Sequence, residues 1–213
     1  MSEKTELRVI DMDPKLIDVP MPIETDRLII RPYVDEDASA LCSGIDKTWD
    51  ALHYWMPWAK DRAEETNPEN KLKLIRQKTA DFATRADFML GAFAQDDGRF
   101  IAGTGLHRMD WAARSFEIGY WVRQGEQGKG YATELTNALI RYAIAVFHAV
   151  RVEINHADGN DASRKVIEKL GFEKECVRRH ATALPDGRIV DSHQYIRFNI
   201  DGLPPLKVRW RPR

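Results

Sequence analysis

A chain of 213 residues with 43% apolar content is long enough for one well-filled core, hence one domain with short extensions. Its 32 Lys and Arg nearly cancel its 33 Asp and Glu, so bulk charge points to neither nucleic acid nor an acidic surface as partner. Residues 1–22 carry charges throughout and no apolar h-region, and no apolar run is long enough to cross a bilayer; a soluble, cytoplasmic protein that does not engage membranes is expected. Cys42 and Cys176 lie far apart without CxxC or metal-ligand spacing, which predicts two small core residues, no disulfide and no metal site.

In chain order, residues 1–22 read as a loose arm in which Leu7, Val9 and Ile10 suit one short strand. Arg27 to Arg31 is a strand stopped by Pro32, and Asp35 offers an N-cap for a helix carrying Ala38, Leu41, Cys42 and Ile45. Trp49, Leu52, Trp55, Met56 and Trp58 gather around Pro57, either as core or as the wall of a substrate cleft. Pro68 opens a helix with Leu72, Ile75, Thr79 and Phe82 on one face. From Asp87 the period becomes two, and Phe88–Ala94, Phe100–Arg108 and Ser115–Val122 predict an antiparallel meander.

A helix with Leu135, Ala138, Leu139, Tyr142, Val146 and Phe147 on one face then leads to a strand at Val150–Ile154, so that strand, helix and strand imply a parallel pair. Asn160 caps a short helix ending at Gly171, and Phe172 enters a hairpin turning at Pro185–Gly187. Lys207, Arg209, Arg211 and Arg213 around Trp210 form a short basic tail. The expected boundaries are an arm at 1–22, a domain at 23–200 and the tail at 201–213.

The most informative segment is Gly125-Glu126-Gln127-Gly128-Lys129-Gly130, between a strand and a helix. Helix N-terminal N–H groups lack intrahelical partners and sit at the positive end of the dipole, so glycines that admit phosphates make an anion site there. The bland alternative is a flexible strand-to-helix turn. A Walker A loop fails for want of a Gly-Lys-Ser/Thr triplet. A Rossmann site fits the strand, the helix and Glu153 about 20 residues on, but the glycines run G-x-x-G-x-G, and antiparallel hairpins flank the single parallel unit.

Gln127-Gly128-Lys129-Gly130-Tyr131-Ala132 resembles the acetyl-CoA pyrophosphate loop of the GNAT superfamily of N-acetyltransferases. Glu117-Ile118-Gly119-Tyr120-Trp121-Val122 before it, and Asn160-Asp161-Ala162-Ser163 through Leu170-Gly171-Phe172 after it, resemble the RimJ/RimL branch in the same order. Glu24-Thr25-Asp26-Arg27-Leu28-Ile29-Ile30-Arg31-Pro32 is similar to that branch's first strand, so the resemblance spans about 22–198. It implies an α/β (α+β) fold: a mixed, mostly antiparallel sheet with helices on both faces, splayed at the parallel junction of the family's fourth and fifth strands.

The implied activity is acyl-CoA-dependent N-acetyl transfer, directly from acetyl-CoA to a primary amine, foremost a protein N-terminal α-amine of the ribosomal-protein type. A small-molecule amine (amino acid, polyamine or aminoglycoside) and a noncatalytic acyl-CoA sensor stay open, and a homodimer is compatible. An alkylamine has a pKa near ~10 and must lose a proton before attack. Glu117 is the first candidate base and Glu153 the second; each has a structural alternative, as a cation's partner or a solvated strand position. The resemblance implies an oxyanion donor in the backbone of Tyr120, Trp121 and Val122. It also implies cofactor contacts from Arg123, Gln127, Gly128, Lys129, Gly130, Tyr131, Ala132, Thr133, Asn155, Asn160 and Ser163. Ile167 stands where many family members place a tyrosine acid, and Ser163 is the expected substitute as a donor to the leaving sulfur, with helix capping as its alternative. His107 reads as structural, and neither cysteine lies in an activated setting.

Overall fold

Strands joined by turns and helices build one sheet in the computed structural model, which describes residues 13–211; the strand expected at Leu7–Ile10 and the tail residue Arg213 lie outside the described residues. β1 (Ile23–Glu24), β2 (Leu28–Pro32), β3 (Phe88–Ala94), β4 (Phe100–Asp110) and β5 (Ser115–Val122) run antiparallel in sequence order. β6 (Arg151–Ala157) lies parallel to β5. β7 (Glu173–Ala183) and β8 (Ile189–Arg197) form a hairpin whose second strand pairs with β6, and β9 (Arg209–Trp210) closes the opposite edge on β1.

Helices cover both faces. α1 (Ala38–Lys47), α2 (Trp49–Trp55), α3 (Arg62–Glu65) and α4 (Pro68–Thr84) precede β3; α5 (Tyr131–Val146) links β5 to β6, and α6 (Asp161–Lys169) links β6 to β7. The apolar stripe of α5, with Leu135, Leu139 and Tyr142, packs on Phe88, Phe116 and Ile118. On the other face Leu41, Ile45, Leu52 and Ile75 enclose Phe93 and Phe100. Asn67 caps α4 by accepting the Glu69 and Asn70 N–H groups at 2.9 and 3.2 Å, and Pro68 follows it in the first turn.

Two expectations need correction. Asp35 does not cap α1: residues Asp35–Asp37 form a 3-10 turn, so the carboxylate that reaches back is that of Asp37, accepting Val34 N–H at 2.8 Å and both Arg31 guanidinium nitrogens at 2.7 and 3.0 Å. Asp35 pairs instead with Arg76 of α4 at 2.9 Å. Cys42 is buried as expected, but Cys176 is exposed, because β7 is the outer strand and its two faces are open to solvent.

The chain after residue 200 returns to the sheet. Leu203 is buried, Trp210 stands edge-on to Tyr142 with centroids 5.3 Å apart, and the Pro204 carbonyl accepts from Asn137 and Arg141 at 2.9 and 3.2 Å. No helix among the described residues is long and apolar enough to cross a membrane.

Candidate active site

Pairing between β5 and β6 holds for only three residue pairs: Ser115 with Arg151, Phe116 with Val152, and Glu117 with Glu153. Beyond them β5 stays with β4 as far as Val122, and β6 stays with β8 as far as Ala157. The strands separate, and backbone N–H and C=O groups on the facing edges open into a cleft of about 810 Å³. α2 and the turn after it form one wall with Leu52, Trp55, Met56 and Pro57. Of the alternatives for that aromatic cluster, the cleft wall describes Trp55 and Met56; Trp49 packs against the core and stacks on His53 at 5.5 Å, and Trp58 is exposed.

At one end of the cleft lies the glycine segment. Gly125, Gly128 and Gly130 have φ of 88°, 75° and 84°, the left-handed region that a β-carbon disfavours. Gly130 occupies the N-cap of α5 with no side-chain cap, so the first N–H groups of the helix stay available to an anion. The loop is pinned from behind. Arg27 donates from Nη1 to the Lys129 carbonyl at 3.0 Å and from Nε to Glu134 at 2.6 Å, and lies over the Tyr131 ring at 4.5 Å. The Thr25 hydroxyl donates to the same buried Glu134 at 2.6 Å. Gln127 donates to the Val122 carbonyl at 3.1 Å.

Gln127, Gly128, Gly130, Tyr131, Ala132 and Thr133 line the cleft, as do Tyr120, Trp121 and Val122. Lys129 and Arg123 lie outside that lining: Lys129 pairs with Glu126 at 3.0 Å, and Arg123 reaches back to the Phe100 carbonyl at 3.4 Å. Burial pushes the Glu126 carboxyl up, yet Lys129 and Arg99 outweigh it and hold it below the usual carboxylate range.

Glu117 sits at the last paired position, the apex of the splay. Its Oε2 accepts from Arg108 Nη1 at 2.7 Å and from Asn155 Nδ2 at 2.8 Å, while Oε1 takes no hydrogen bond from the described residues. Glu153, its register partner, is turned into another network with Ser115 at 3.2 Å, Gln194 at 2.7 Å and Arg151, and does not line the cleft. The structure thus brings Glu117 and Ser163 to the cleft and leaves Glu153 outside. His107, the β4 residue opposite Glu117, is held by Asp87 at 2.6 Å. Its ring lies over Gly119, where a β-carbon would come within 3.1 Å of it, so glycine in that strand makes room for the imidazole.

Asn155 and Asn160 both face the cleft. Asn160 caps α6 by accepting Ser163 N–H at 3.1 Å. Asn155 Oδ1 is buried without a hydrogen-bond partner among the described residues, an acceptor that a ligand N–H would satisfy. The Tyr120 phenol lies 3.0 Å from Ser163 Oγ, and burial pushes its pKa up to about 12. Sequence reasoning assigned Tyr120 to the cofactor through its backbone and missed this side-chain contact, because its partner is 43 residues away and no local pattern joins them. His156, also missed, lines the cleft: burial pushes its pKa down, it stacks on His193 at 5.0 Å, and its buried Nε2 has no hydrogen-bond partner among the described residues.

An acyl-CoA fits these residues. Uncapped N–H groups and positive-φ glycines suit the pyrophosphate, the unpaired strand edges and Asn155 Oδ1 suit amides of the pantetheine arm, and Ser163 with Tyr120 suits the sulfur. Among the described residues no group of His, Cys, Asp and Glu could hold a metal ion.

The acetyltransferase (GNAT) domain family matches residues 27–173. YdaF of Bacillus subtilis (strain 168), a ribosomal N-acetyltransferase by provisional name, is 31% identical over 188 residues, covering 87% of this chain and 94% of its own length. The [ribosomal protein uS5]-alanine N-acetyltransferase of Escherichia coli (strain K12) is 29% identical over 160 residues, covering 72% of this chain and 78% of its own length. Among solved structures, Mycobacterium smegmatis RimJ in complex with CoA-disulfide superposes with a TM-score of 0.75 at 23% identity, covering 88% and 90% of the two chains, a likeness of fold.

Proposed function

Since the chain belongs to the GNAT acetyltransferase family, we propose that it transfers the acetyl group of acetyl-CoA directly to the N-terminal α-amine of a protein, with Glu117 as the base. The observation that carries this reading is the apex carboxylate: Glu117 lines the cleft that begins at the phosphate cradle, and its Oε1 takes no hydrogen bond from the described residues. The cosubstrate supplies a thioester carbonyl; the chain supplies everything that holds and deprotonates the amine. Arg108 and Asn155 fix Glu117 through Oε2, so Oε1 is left to accept a proton from the ammonium group. The β5 backbone beyond Glu117 provides N–H groups for the carbonyl oxygen as it gains charge.

A ping-pong route has no support in this cleft. Neither cysteine lines it, and burial pushes the Cys42 thiol up, away from the reactive thiolate. The uS5-alanine specificity in the name of the Escherichia coli relative supports a protein N-terminus as acceptor.

A thiol-release assay with acetyl-CoA, run against peptides with free N-termini, amino acids, polyamines and aminoglycosides, tests the reading; the highest kcat/KM is expected with the peptides. Acetyl-CoA binding without thiol release from any amine would instead mean a noncatalytic acyl-CoA sensor. Glu117→Gln is expected to lower kcat by about 10²-fold with CoA affinity retained, the scale of a lost general base. An unchanged kcat and pH-rate profile in that variant removes Glu117 as the base.

A further inference from the structure

The half of the cleft remote from the phosphate cradle carries an uncompensated charge. Arg178 of β7 lines it, and its guanidinium makes no hydrogen bond or ion pair with the described residues. Its place follows from register: Arg178 is opposite Ser192 of β8, and Ser192 is opposite Ala157 of β6. Opposed residues share a sheet face, and strand alternation puts Ala157 on the face of Asn155, which bonds Glu117. Arg178 and the apex carboxylate therefore look into one cleft from the same side of the sheet. A register shift between Arg178 and Thr182, with Asp191 accepting His180 N–H at 2.9 Å, bends β7 so that Ala181 and Thr182 line the cleft as well.

The spacing is that of a peptide. Ala157 lies four residues beyond Glu153, the register partner of Glu117, and three strand steps separate β5 from β7. At about 3.3 Å per residue and about 4.8 Å per strand, the backbones of Glu117 and Arg178 are roughly 20 Å apart. With both side chains reaching inward, the gap is bridged by a few residues of extended chain and not by a free amino acid.

The carboxylates of this region are engaged elsewhere, Asp191 by the His180 N–H at 2.9 Å and Asp158 by His193 at 3.0 Å. Arg108 is tied to Glu117, and Arg188 at the hairpin turn is tied to Asp186 at 2.6 Å; Arg179 and His180 follow Arg178 on the exposed strand. Glu117, the acceptor side's carboxylate, is already paired. A polycationic acceptor is disfavoured there, whereas a carboxylate meets a guanidinium fork.

We propose that Arg178 is a specificity residue that binds the carboxylate of an Asp or Glu lying a few positions after the acetylated residue, so that the acceptor is a protein with an acidic N-terminal segment. This rests on the N-terminal acceptor reading above. The test is steady-state kinetics at low salt with peptides of one length and one N-terminal residue, differing at positions two to four: acidic, amide or lysine. The acidic peptide is expected to exceed the lysine peptide in kcat/KM by about tenfold, mostly through KM, the scale of one charge-assisted contact. Arg178→Ala is expected to erase that order and Arg178→Glu to reverse it, a reversal that a merely damaged enzyme would not give. Equal use of the three peptides by the unaltered protein, or an acidic preference that survives Arg178→Ala, overturns the proposal. Failure of every peptide while acetyl-CoA still binds overturns the N-terminal acceptor reading, and the proposal with it.

Discussion

Tyr120 and Ser163 show how a single side-chain contact can change a mechanism. With its pKa up to about 12, the phenol stays protonated at working pH and is a poor proton source for a thiolate whose pKa is near ~8.5. The proposal for it is a hydrogen-bond donor: either hydroxyl of the pair can donate, and with the phenol donating to Ser163 Oγ the serine hydrogen would be left for the sulfur as that atom gains charge. Tyr120→Phe is therefore expected to lower kcat about tenfold with little change in the KM for acetyl-CoA, and Ser163→Ala to act through the same step. A double variant measured in single-turnover kinetics should lose less than the product of the two singles, because the residues act as a unit. Full additivity would show that the phenol works independently of the serine. Tyr120 of β5 thus places a hydroxyl beside Ser163, on the helix where Ile167 offers none.

The glycine loop and the start of α5 work as one element, and their rigidity comes from β2's neighbourhood. Arg27 is half exposed, so its ion pair alone is worth little; its contribution is geometric, fixing the Lys129 carbonyl and neutralising the buried Glu134. Arg27→Ala is expected to weaken CoA binding about tenfold in a titration followed by calorimetry, with the KM for the amine unaffected; equal CoA affinity would show that the loop holds its shape unaided. This element was legible before any coordinates, since three glycines at a strand-to-helix junction have a physical purpose, and the meander from Phe88 to Val122 was legible from period two and its turns. What escaped was of another kind. Exposure of Cys176 depends on β7 ending as the outer strand, the capping role of Asp37 depends on a 3-10 turn, and the meeting of Tyr120 with Ser163 depends on strands diverging after Glu117. The second is local, but Asp37 reaches Val34 and Arg31 only through the 3-10 turn; the first and third are set by pairing between segments far apart in sequence, which periodicity does not encode. The exclusion of Glu153 from the cleft has the same origin, for its partners Ser115 and Gln194 come from other strands.

At the scale of the molecule, one sheet carries a core on each face, and the C-terminal segment clasps its first edge. β9 pairs with β1, Arg209 pairs with the buried Glu24, and Trp210 packs on Tyr142 of α5. Trp210→Ala is expected to cost about 1–2 kcal/mol, the share of a half-buried aromatic, and to lower Tm by about 3–8 °C in a thermal scan. An unchanged Tm would show that the clasp adds nothing to the fold. The short parallel junction has a different kind of consequence. Where β5 and β6 part, main-chain groups that a continuous pair of strands would spend on each other are left to read a ligand as though it were a strand. Such reading takes no account of side-chain identity. Side chains that line the cleft, Trp55 and Arg178 among them, can therefore differ without disturbing those main-chain groups.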